Sequence, residues 1–101
     1  MEKRDFPPIH PGEILLRKFL LPTGISQYRL ARDIGVTARR INEIIYLRRS
    51  ITADTTLRLG HFFNMDTRFW LNLQTHYDME VALEELQNKL DKEVHPLSKA
   101  A

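Results

Sequence analysis

Arg39, Asn42 and Glu43 are the side chains in this chain best suited to reading another molecule. They fall in residues 38–46, where Ile41, Ile44 and Ile45 recur at helical spacing and share one side. At about 100° per residue, Arg39 and Glu43 point almost opposite those isoleucines, with Arg40, Asn42 and Tyr46 on the flanks. An outward face of Arg, Asn and Glu suits base edges in a major groove. Arg donates to guanine, Asn pairs with adenine, and Glu accepts from cytosine. The plainer reading is an exposed i,i+4 ion pair between Arg39 and Glu43, which contributes little.

The residues before this helix favour the first reading. Ser26 can cap a preceding helix opened by Gln27, and Ile25 and Leu30 occupy the two positions of a hydrophobic staple. Leu30, Ala31 and Ile34 form its inward stripe. Gly35 falls where that helix must stop, since glycine turns left-handed without steric cost. Val36 follows, and Thr37 caps the next helix. Two helices joined by a short turn containing Gly match the helix-turn-helix, whose second helix enters the major groove. Thr37, Ala38, Arg39, Arg40, Asn42 and Glu43 are the expected base-reading surface. Gln27, Arg48 and Arg49 are the expected phosphate contacts, which set register and supply affinity.

Composition sets the bounds. A chain of 101 residues, 43% hydrophobic and 28% charged, is one globular unit with a modest core. It has no cysteine, so neither a disulfide framework nor a thiolate metal site is available. The apolar run at residues 14–21 is interrupted by Arg17 and Lys18, so no membrane span is expected. The expected compartment is the cytoplasm. The net charge of +2 divides unevenly: residues 1–50 carry +5 and residues 51–101 carry −3. The basic half suits a polyanion. No enzyme chemistry and no cofactor are expected. His10, His61, His76 and His95 are scattered, with neither a metal-binding helical spacing nor a Gly-rich phosphate loop.

In order, residues 1–10 read as an extended arm held by Pro7 and Pro8. A first helix opens at Pro11 and runs to about Leu21, with Ile14, Leu15, Leu16 and Phe19 buried, before Pro22, Thr23 and Gly24 end it. After the helix-turn-helix and a basic loop at residues 47–51, Thr52 caps a fourth helix over residues 53–63. Its expected core side chains are Leu57, Leu59, Phe62 and Phe63, and Asn64 is its left-handed stop. Asp66 caps a fifth helix carrying Phe69, Trp70, Leu73 and Tyr77. From Asp78 the chain turns acidic, and Met79, Leu83, Leu86 and Leu90 form a heptad-like stripe. That stripe allows a helix folded back on the core, a dimer contact or a partner contact. Residues from His95 onward read as loose. The expectation is an all-α bundle of five or six helices. Residues 1–77 form the DNA-binding part with its arm, and residues 78–101 form an acidic helix and tail of the same domain.

Three runs carry a resemblance to a known family: HPGEILLRKFL at residues 10–20, GISQYRLARDIGVTARRINEII at residues 24–45, and RRSITADTTLRLGHFF at residues 48–63. With FWLNLQTHYD at residues 69–78, they resemble the HigA family of antitoxins, of the lambda-repressor-like helix-turn-helix class. The most specific elements are residues 10–13, 51–55 and 69–74. The basic loop departs from the family, with Leu47, Arg48, Arg49 and Ser50 where a Gly-Lys-type turn is usual. The resemblance implies an antitoxin that binds a small mRNA-cleaving ribonuclease toxin. As a homodimer, it would also repress its own promoter at a palindromic operator in double-stranded DNA. A stand-alone helix-turn-helix repressor without a toxin is the alternative.

Overall fold

The computed structural model describes residues 7–98. Among the described residues all regular structure is helical. A first helical rod, α1, spans residues 11–23; α2 is Gln27–Ile34, α3 Ala38–Ile45, α4 Ala53–Phe63, α5 Arg68–Leu86 and α6 Lys89–Glu93. Of the expected arm, residues 1–6 lie outside the described residues, and residues 7–10 are not helical.

Pro11 takes the first helical position of α1, and His10 caps it: the Gly12 amide donates to His10 Nδ1 at 2.9 Å. A Cβ on Gly12 would sit 1.9 Å from the Ile44 carbonyl oxygen. Only a residue without a side chain lets α1 approach the backbone of α3 so closely. The middle of α1, Leu15–Leu20, is π-helical, and the Leu21 amide reaches the Leu16 carbonyl. Such i→i+5 bonding brings residues five apart nearly into line. Leu15 and Leu20 are therefore both buried, whereas Ile14, Leu16 and Phe19 are only partly covered. The rod runs through Pro22 to Thr23, beyond the expected end at about Leu21. Gly24, at φ +72°, ends the rod.

The helix-turn-helix follows its expected caps. Ser26 accepts from the Arg29 amide at 3.0 Å, and Thr37 accepts from the Arg40 amide at 3.1 Å. Gly35 turns left-handed at φ +75°, and the Val36 amide closes back onto the Ala31 carbonyl at 3.0 Å. Leu30, Ala31 and Ile34 from α2 meet Ile41, Ile44 and Ile45 from α3 in the core. Burying each leucine or isoleucine side chain there contributes about 1.5–3 kcal/mol. Ile51, Leu59 and Trp70 complete this core, and Trp70 sits among Phe19, Phe63 and Phe69.

Two further expectations are corrected. Leu57 is 60% exposed, and α4 instead buries Thr55, Thr56, Leu59 and Gly60. The inward face is turned because Gly60 lets α4 press against Thr67, where a Cβ would meet Thr67 Cγ2 at 2.4 Å. Asp66 is not the capping residue of α5, which is Thr67, but its Oδ1 still accepts the Arg68 amide at 2.9 Å. The α5 helix continues unbroken through Asp78. The molecule measures 57 × 29 × 22 Å, because the far part of α5 and all of α6 stand away from the bundle. Residues 94–98 have no regular structure, and residues 99–101 lie outside the described residues.

Candidate nucleic-acid interface

The outward face of α3 carries the predicted side chains in one patch with α2, the following loop and the start of α4. Arg39 is 83% open at its side chain. Its Nε donates to Glu43 Oε2 at 3.2 Å, one helical turn on. Glu43 also accepts from Arg49, at 2.9 Å from Nε and 2.6 Å from Nη2. One carboxylate thus holds two arginines, one from the helix and one from the loop. Hydrogen bonds from Arg49, then from Arg39, hold the Glu43 carboxyl below its ordinary pKa.

Asn42 donates to Gln27 Oε1 at 3.4 Å, joining the middle of α3 to the first residue of α2. Ser26, Gln27, Tyr28, Ala38, Arg39 and Asn42 line an open groove between the two helices. Tyr28 was not among the predicted residues, yet it is 77% exposed beside Arg39 and Asn42. Its signal was its place: it follows the capped first residue of α2, on the same outward turn as Gln27.

The loop after α3 turns on Leu47 at φ +64°. A leucine therefore takes the left-handed position that a glycine would occupy without strain. The turn brings Arg49 back to Glu43 and leaves Arg48 exposed alongside.

Arg40 is placed differently from the other predicted readers. Its Nη1 donates to Asp54 Oδ1 at 2.9 Å, on α4. Arg58 donates to the same Asp54 oxygen through Nε at 2.8 Å. Arg58 Nη1 also donates to the Ile34 carbonyl at 2.8 Å, at the end of α2. These bonds, from Arg58 first and then Arg40, hold the Asp54 carboxyl below the usual carboxylate range. Thr37 keeps its hydroxyl on the Arg40 amide, and Ala38 is half-buried in the groove wall. The patch is therefore cationic, ordered by two carboxylates, and mounted on a rigid pair of helices.

No protein-family model matches the chain. It is 48% identical over 86 residues to virulence-associated protein I of Dichelobacter nodosus, covering 85% of this chain and 80% of that protein. It is 32% identical over 79 residues to antitoxin HigA-1 of Vibrio cholerae, covering 78% and 74%. Among solved structures, the antitoxin HigA of Pseudomonas aeruginosa, determined with the higBA promoter, superposes with a TM-score of 0.85 at 41% identity. That match covers 90% of this chain and 99% of that one. With its helix-turn-helix, its capped α1 and this extent of likeness, the chain belongs to the HigA family of antitoxins.

Proposed function

We propose that this protein is the antitoxin of a toxin–antitoxin pair and, as a homodimer, represses its own promoter. It neutralises a cognate mRNA-cleaving ribonuclease toxin in the cytoplasm and binds a palindromic operator in double-stranded DNA. The observation that carries this reading is the exposed Arg39–Glu43–Arg49 cluster on the second helix of a capped helix-turn-helix. The structure of the P. aeruginosa relative with promoter DNA supports it.

In this reading Arg39, Asn42 and Glu43 face base edges, and Thr37, Ala38 and Arg40 complete the surface that α3 presents. Gln27, Arg48 and Arg49 meet phosphates, and Tyr28 packs beside them. Residues 1–77 form the DNA-reading part. Residues 78–101 supply the dimer or toxin contact, through the exposed stripe of Met79, Leu83, Leu86 and Leu90.

Co-expression with the product of the neighbouring reading frame tests this function. The expected result is a stable co-purifying complex, rescue of growth, and a gel shift of the shared promoter. A neighbour that is harmless alone and does not bind, together with an unshifted promoter, would contradict it.

A further inference from the structure

Asp54 lies in the first turn of α4, yet its carboxylate serves the helix-turn-helix. One of its oxygens takes Arg40 Nη1 at 2.9 Å and Arg58 Nε at 2.8 Å. Arg58 in turn holds the Ile34 carbonyl at 2.8 Å and the Gly35 carbonyl at 3.4 Å. Those two carbonyls are the unpaired end of α2 and the corner of the motif. A continuous polar bracket therefore runs from the end of α2, through Arg58 and Asp54, to the first turn of α3.

Resting on the DNA-reading function above, we propose that Asp54 limits the sequence-independent part of the protein's affinity for DNA. It does so by holding Arg40 away from the DNA backbone. The physical case has two parts. A guanidinium on the flank of a major-groove helix faces the groove wall, where phosphates run. A phosphate contact there adds affinity for every sequence equally. Engaging Arg40 with a carboxylate removes that indiscriminate attraction, and discrimination then rests on Arg39, Asn42 and Glu43. A contact of equal strength on every sequence cancels in the difference between right and wrong partners, so withholding it lowers the affinity for all DNA and leaves the ratio to the base contacts. The bracket is also solvent-exposed, with Asp54 55% open and Arg40 32% open at the side chain. An exposed ion pair of this kind does little for global stability, so its effect belongs to recognition.

The test uses the full chain. A duplex selected by the wild-type protein from a random library is titrated beside an unrelated duplex of equal length, over a range of salt. The variant Asp54→Asn is expected to bind the unrelated duplex more tightly, its log–log salt slope steeper by about 0.9 for one added phosphate contact. The selected duplex is expected to gain by the same factor, so the preference between the two is unchanged. Asp54→Glu restores the wild-type slope, and in an Arg40→Gln background Asp54→Asn leaves the slope unchanged. Thermal melts of each variant accompany the titrations, with Asp54→Ser as a second uncharged replacement should Asp54→Asn not fold. An Asp54→Asn protein with the wild-type salt slope overturns the inference. So does the same change appearing in the Arg40→Gln background, weakening on either duplex, or a gain confined to one of them. Selection of no sequence by the wild-type protein overturns the DNA reading and this inference with it.

Discussion

At the scale of single residues, the interface divides its arginines by what holds them. Arg39 is 83% open and leans on Glu43 at 3.2 Å, so it is free to turn to a base edge while Glu43 steadies it. Arg39→Ala is expected to cost about 1–3 kcal/mol on the preferred site and little on random DNA, read as a relaxed sequence preference in titrations. Arg49→Ala should weaken all sequences alike and flatten the salt slope by about 0.9. His10 makes a different prediction. Its cap on Gly12 and its position 4.9 Å from the Tyr77 ring bury it, and that burial lowers its pKa despite the nearby Asp78. Folding therefore disfavours its protonation. The contribution is full above the unfolded value of 6.5 and is lost as pH falls from there through the lower folded value. Urea midpoints measured between pH 7.5 and 5 should decline on that limb. His10→Asn, which keeps a capping acceptor, should flatten the decline.

At the scale of elements, caps and corners decide where the interface sits. Leu47 holds a left-handed turn at φ +64° with half its surface exposed. Leu47→Gly is expected to stabilise the fold by about 1 kcal/mol in chemical denaturation, since the strain relieved exceeds glycine's added unfolded entropy. The caps at Ser26, Thr37 and Thr52 and the stops at Gly35 and Asn64 were legible because each depends on a few neighbouring residues. The isoleucine face of α3 was legible for the same reason, its periodicity being local. The inward face of α4 was not. Gly60 against Thr67 sets its rotation, and that fit exists only once α5 is in place. The π-helical middle of α1 was hidden too, because it brings both Leu15 and Leu20 into a core that other helices build. Of the candidate site, the outward side chains of α3 could be found by angle. Their partners could not: Asp54 lies 14 residues from Arg40, and Arg58 lies 24 from Ile34.

At the scale of the whole molecule, a bundle built on one small core carries a long arm, α5 with α6, that leaves leucines in water. Met79, Leu83, Leu86 and Leu90 are 38–56% exposed along it. Read as a seam between two copies, this stripe makes Leu86→Glu a direct probe. Sedimentation should show the dimer dissociating at protein concentrations at least about tenfold higher, while the monomer melts unchanged. A two-fold dimer then presents two α3 helices to successive major grooves. Selection of bound sequences from random DNA by the full-length protein tests that claim most directly. The expected result is a palindrome whose half-sites lie roughly 34–36 Å apart, one turn of the double helix. Enrichment of no sequence, or of a single half-site without its symmetric mate, would contradict it.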